Sequence, residues 1–215
     1  MYSYNFTKEK LNKIETLLND NSACFHEKTE AIVSMIKQKH IKNQIILKYI
    51  NLYLDSINLE KIMNNNDVFY ELAKHKRTVI LKNMLNKEKI NKLIHKNLCL
   101  YYACKYNQTK NIDMLLKEGV IIEIEHLEFI LDNKNFDAFN LFLEKTSNII
   151  NNEKEVIKTV LRKKWYTAIN KLIETEKWMC KIDNEILKEF KNDKLLTPFI
   201  KKIELSLMKN KLEVF

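Results

Sequence analysis

The sequence holds one glycine and one proline in 215 residues, where average usage gives roughly fifteen and ten. Glycine supplies the positive-φ positions of tight hairpins and phosphate-cradling loops, and proline supplies stiff turns. A chain with almost neither is poorly equipped for many-stranded β architecture and cannot build a glycine-rich nucleotide loop. Helices joined by short turns suit it, with asparagine taking the left-handed positions. The expected fold class is therefore all-α.

Asparagine, lysine and isoleucine are conspicuously abundant, and all three have A/T-rich codons. This composition points to an A/T-rich parasite, virus or symbiont. The net charge of +9 then has two readings of equal standing. It attracts nucleic acid, ribonucleoprotein or an acidic protein face, or it is lysine placed by codon usage on solvated surfaces. Cys24, Cys99, Cys104 and Cys180 are too scattered for a disulfide framework and read as free thiols in a reducing compartment. No apolar run is long enough for a signal peptide or a membrane span. An intracellular, cytoplasmic place in such an organism or its host is expected, with no membrane partner. Oligomeric state is left open.

Helical periodicity begins early. Thr7 is placed to cap a helix running to Leu18, with Phe6 as its hydrophobic staple. A second helix is expected over Glu27 to Lys39 and a third over Ile41 to Ser56. Asn58 is placed to cap a short helix through Met63. The polar run Asn64–Asp67 then reads as the boundary between an N-terminal helical cap (1–65) and a second region (66–215). In that region Ala73, Ala103, Leu131 and Leu161 recur at spacings of 30, 28 and 30 residues, each followed twelve positions later by Leu85, Leu115, Leu143 or Ile173. A period near 30 built from paired helices is the mark of an α-solenoid of stacked helical hairpins. Thr197 reads as the cap of a closing helix that Pro198 starts.

One unit resembles a known family. Leu98 to Val120 is similar to an ankyrin repeat: Leu100 and Ala103 match the opening helix, Leu115 and Leu116 the paired leucines of the second, and Gly119 the glycine that ends it. Asn107 stands where the family usually has a glycine between helices, and Asn135 takes the equivalent place one unit later. Cys99 replaces the family's turn proline and Tyr101 its histidine. The resemblance implies stacked hairpins, a binding role and no intrinsic catalytic site.

Residues with reactive chemistry do not assemble into a motif. His95 and Cys99 share a helical face, with Cys104 five residues on, which falls short of four zinc ligands in close pairs. Glu123, Glu125, Glu128, Asp132 and Asp137 read as a solvated connector. No enzyme activity, cofactor or metal is expected. Tyr101, Tyr102, Tyr106, Trp165 and Trp178 read as packing between repeats, with base stacking as the alternative. The basic residues are more suggestive. Lys74, Lys76, Arg77 and Lys82 open a basic stretch that runs to Lys96, and Arg162, Lys163 and Lys164 lie at an inter-helix turn corresponding to the place of Lys76 and Arg77, so that together they make a candidate basic edge for partner binding. The expected function is a non-catalytic adaptor that docks a protein partner through a repeat surface. The alternative is a basic factor that binds a ribosome or another RNA–protein assembly.

Overall fold

A computed structural model describes residues 8–145, 153–179 and 181–212; Phe6, Thr7 and Cys180 lie outside these ranges. The described residues form sixteen α-helices and no strand. They fall into two compact units, Met1–Val120 and Ile121–Phe215.

The first unit contains α1 (Lys8–Asn19), α2 (Phe25–Ile36), α3 (Asn43–Asp55), α4 (Leu59–Asn64), α5 (Asp67–Lys74), α6 (Thr78–Leu85), α7 (Glu88–Asn91), α8 (Lys96–Lys105) and α9 (Thr109–Lys117). Helices α2, α5 and α8 pack in succession as one row, and α3, α6 and α9 as a second. Each helix of the first row also packs on its successor in the second: α2 on α3, α5 on α6, α8 on α9. The second unit contains α10 (Ile124–Asp132), α11 (Phe136–Lys145), α12 (Glu153–Arg162), α13 (Tyr166–Glu174), α14 (Glu176–Met179), α15 (Asn184–Phe190) and α16 (Thr197–Leu212). It repeats the plan, with α10, α12 and α15 in one row and α11, α13 and α16 in the other.

The polar run at Asn64–Asp67 is therefore not where the contacts part, because α2 packs on α5 across it. Asn66 is buried there and joins two helix starts. Its Nδ2 donates to the Ile62 carbonyl at 2.7 Å and the Leu93 carbonyl at 3.1 Å, and its Oδ1 accepts from the His95 N–H at 2.9 Å. Asn58 caps α4 as its position suggests, accepting from the Glu60 N–H at 2.9 Å. Thr197 does not cap α16. It is the first helical residue, and its hydroxyl donates to the Asp193 carbonyl at 3.2 Å.

A repeat of about 30 residues is written in the backbone itself. Lys76, Asn107, Lys134 and Lys164 have φ of 59°, 57°, 50° and 50°, each two residues past the last residue of α5, α8, α10 or α12. The turn after three of these helices closes with a bond reaching five residues back: Arg77 to Leu72 at 3.3 Å, Gln108 to Ala103 at 2.8 Å, Asn135 to Ile130 at 3.0 Å. Such closure needs one left-handed residue. This register aligns Cys104, not Ala103, with Ala73, Leu131 and Leu161, and Leu116, not Leu115, with Leu85, Leu143 and Ile173. It also makes Lys134, not Asn135, the counterpart of Asn107; Asn135 instead accepts from the Ala138 N–H at 3.0 Å near the start of α11.

Buried donors from one helix satisfy the carbonyls at the end of another. Lys28 of α2 donates to the Leu18 carbonyl of α1 at 3.0 Å. Arg77, before α6, donates to the carbonyls of Ile36 (3.3 Å), Ile41 (3.1 Å) and Gln38, and to Asn43 Oδ1 (2.9 Å). Asn111 of α9 donates to the Ala73 carbonyl at 2.7 Å and the Leu72 carbonyl at 3.3 Å.

Two stability measurements test this account. Arg77→Ala takes donors from three carbonyls, of which Gln38 keeps another partner, the Ile41 N–H at 3.2 Å, and urea unfolding should show a loss of about 2–5 kcal/mol, with Arg77→Lys a poor substitute because it lacks the planar fork. Lys134→Gly should raise stability by up to about 1 kcal/mol, because glycine relieves a left-handed side chain at an exposed position. A loss on Lys134→Gly contradicts the proposed turn.

Candidate interaction surface

The two units differ sharply in charge. Residues 1–120 carry 20 lysines and arginines against 12 aspartates and glutamates, whereas residues 121–215 carry 17 against 16.

In the second unit the basic side chains at the α12 turn are matched to acids, one on α12 itself and three from other helices and turns. Arg162 pairs with Glu155 at 2.7 Å and Glu189 at 2.9 Å, Lys163 with Asp132 at 2.7 Å, and Lys164 with Asp193 at 2.7 Å. Hydrogen bonds from Lys158 and Arg162 hold the Glu189 carboxyl below the usual carboxylate range, and one from Lys164 does the same for Asp193. The cluster Arg162–Lys164 is an inter-helix pairing network.

In the first unit the four basic residues, three around the α5–α6 turn and Lys82 within α6, have separate fates. Arg77 is buried in its capping role, so it is withdrawn from any exposed edge; the turn carbonyls need its donors. Lys74 pairs with Glu71 at 2.6 Å and lies 4.3 Å from the Tyr102 ring centre. Lys76 and Lys82 are exposed, and no carboxylate pairs with either among the described residues. Sequence position alone grouped these four; the fold keeps two of them open.

Beside Lys74 is a cluster of tyrosines from α5 and α8. Tyr70 and Tyr102 are 5.2 Å apart between ring centres, and Tyr101 meets Tyr102 edge-on at 5.4 Å. Tyr106, at the end of α8, is 47% exposed, and its ring centre lies 5.7 Å from Lys74 Nζ. Lys105 Nζ is 5.6 Å from the Tyr101 ring. The Tyr70 hydroxyl lies 3.0 Å from His95 Nδ1, and burial, with Cys99 and Tyr102 nearby, pushes its pKa up to about 12. These rings pack between neighbouring helix pairs as expected, yet all four keep part of their surface in solvent. Of the two tryptophans, Trp178 is buried and Trp165 is half-buried against Phe136 and Phe139.

Next to Tyr106 the α5–α6 and α8–α9 turns enclose a polar cleft of about 410 Å³, lined by Lys76, Thr78, Gln108, Lys110 and Asn111 among others. Asn111 is fully buried, and its Oδ1 has no hydrogen-bond partner. Gln108 donates its amide hydrogen to the Tyr106 carbonyl, which leaves its own buried Oε1 without a partner. Nothing in the sequence marks these two amides, since their orphaned oxygens exist only once the two turns stack.

No group of three or more His, Cys, Asp or Glu side chains is placed to hold a metal ion among the described residues. His126 receives the Glu123 N–H on Nδ1 at 2.8 Å, at the start of α10. No helix among the described residues is long and apolar enough to cross a membrane. Cys99 and Cys104 are buried, and burial pushes both thiols up to about 12, whereas Cys24 is exposed. Alkylation of the native protein followed by peptide mass mapping should label Cys24 and leave Cys99 and Cys104 unmodified until denaturant is added. Labelling of the latter pair at the rate of Cys24 would contradict this packing. The chain matches no protein-family model, no curated protein and no solved structure, and the geometry carries the functional reading by itself.

Proposed function

We propose that the chain is a non-catalytic binding protein that docks an acidic protein partner through stacked helix pairs, with residues 1–120 as the docking unit. The observation that carries this reading is the part-exposed Tyr70–Tyr101–Tyr102–Tyr106 cluster with Lys74 and Lys105 against its rings. Tyrosine is enriched where proteins bind, because it offers a large rigid surface with a polar tip and few rotamers to freeze. The basic excess of residues 1–120 favours an acidic partner and speeds its encounter. The resemblance of residues 98–120 to an ankyrin repeat, and the reading of the helix pairs as an α-solenoid in an intracellular protein, agree with a docking role.

A second reading, binding to a ribosome or another RNA–protein assembly, is favoured by Lys76, Lys82 and Lys110, which are exposed and meet no carboxylate among the described residues. Capture of the native partner from extract, with and without nuclease, separates the two. A protein partner stays bound after nuclease, and Tyr102→Ala with Tyr106→Ala weakens it by about tenfold or more. Lys76→Ala, Lys82→Ala and Lys110→Ala together should flatten the salt dependence. Replacing Arg162, Lys163 and Lys164 by alanine should change it much less, because those charges are already paired. Loss of the partner on nuclease treatment, with a salt slope near 0.7 per single-strand phosphate, would replace the first reading by the second. Equal effects of the two lysine and arginine sets would remove the docking role of residues 1–120.

A further inference from the structure

The cleft between the α5–α6 and α8–α9 turns has donors missing on its inside and acids missing at its rim. Asn111 is fully buried, and its Nδ2 donates to the carbonyls of Ala73 and Leu72 at 2.7 and 3.3 Å. Those bonds fix which way the amide faces, so its unpartnered Oδ1 cannot be exchanged for a donor by turning the group over. Gln108 is held in the same sense by its bond to the Tyr106 carbonyl, and its buried Oε1 is also unpartnered. Two buried acceptors without partners are uncommon in one small space and call for N–H or O–H groups from outside. Lys76 and Lys110 line the same cleft, and no carboxylate pairs with either among the described residues.

These requirements exclude simple ions. A bare anion satisfies the lysines and leaves both amide oxygens unpaired. A small cation satisfies the oxygens and is repelled by the ammonium groups. The cleft fits a ligand that carries hydrogen-bond donors and negative charge together. An acidic peptide has both, with its main-chain N–H groups as donors and its Asp or Glu side chains as the charges. A nucleotide strand also has both, but base recognition leans on stacking, and no aromatic side chain lines this cleft.

We propose that the cleft binds an acidic peptide segment, with its main-chain N–H groups donating to Asn111 Oδ1 and Gln108 Oε1 and its carboxylates held by Lys76 and Lys110. This rests on the reading of residues 1–120 as the docking unit and extends it from a tyrosine face to a site that reads the partner's backbone. Tyr106 borders both, since its carbonyl accepts from Gln108 and its ring lies 5.7 Å from Lys74 Nζ.

The test uses the full chain and a fluorescent poly-glutamate peptide followed by anisotropy. Binding should saturate, weaken at raised salt, and fall by about tenfold in Gln108→Ala, the loss expected for one hydrogen bond. The same peptide with N-methylated main-chain amides keeps its charge and loses its donors, so it should bind the native chain about tenfold or more weakly. In Gln108→Ala the methylation penalty should shrink, since the two changes remove the same bond. Lys110→Ala provides a second variant at an exposed position, and it should weaken both peptides alike. Equal binding of the methylated and unmethylated peptides overturns the proposal, as does tighter binding of an oligothymidylate of equal charge. If the native partner depends on Tyr102 and Tyr106 but tolerates Gln108→Ala and Lys110→Ala, the cleft is not part of the interface, while the docking reading stands.

Discussion

Every α-helix leaves its last four carbonyls without partners inside the helix. When helices are only eight to thirteen residues long, as most are in the first unit, those carbonyls are a large share of the backbone. Packing such helices side by side buries the ends along with the faces. The unit meets this with donors sent from elsewhere: Lys28 to the end of α1, Arg77 to the end of α2 and the turn after it, Asn111 to the end of α5. Each bond requires the donor's helix to sit at one height against the acceptor, which apolar contact alone does not require. The guanidinium of Arg77 is suited to its place because its planar fork reaches several oxygens at once and keeps its charge even where burial pulls its pKa down. A stack held in register this way can present the tyrosines of α5 and α8 as one rigid surface.

Scarcity of glycine has a cost that the turns make visible. Lysine stands at three of the four repeated left-handed positions and asparagine at the fourth. Asparagine enters this region more easily than other residues with side chains; lysine has no such advantage. The same residue at the same backbone position then meets different surroundings. Lys164 pairs with Asp193, whereas Lys76 lines the cleft. What a repeated lysine does is decided by its neighbours in space, not by its place in the repeat.

This explains what was and was not legible in the sequence. The helical class, the cap at Asn58 and the left-handed Asn107 follow from local chemistry, and local chemistry is what a sequence displays. The register slipped by one at Ala103 because Ala103–Cys104 and Leu115–Leu116 are adjacent buried pairs, so two alignments place apolar residues equally well. The run Asn64–Asp67 resembles a linker because Asn66 finds two of its partners at Leu93 and His95, far along the chain. Arg162, Lys163 and Lys164 read as an exposed basic group because Asp132, Glu189 and Asp193 are about thirty residues away on either side. Arg77 looks like its exposed neighbours in the sequence because its partners lie back at Ile36 to Asn43. In each case the missing information is a contact between successive helix pairs, which one sequence does not contain.

The charge asymmetry also bears on whether the lysines are merely a product of codon usage. Basic residues are about equally dense in the two units, 20 in 120 residues and 17 in 95, as a uniform codon preference requires. The difference comes from the acids, 12 against 16. Lysine codon preference accounts for the first fact and has nothing to say about the second. A shortage of acids leaves like charges facing one another, which works against the compact state unless something offsets it. In the second unit the acids are present and bridge α12 to the helices and turns around it. In the first, buried donors to carbonyls tie helix ends together over an apolar core, and Lys76, Lys82 and Lys110 are left open. An acidic partner on the first unit would supply from outside the counter-charge that the second unit carries within itself.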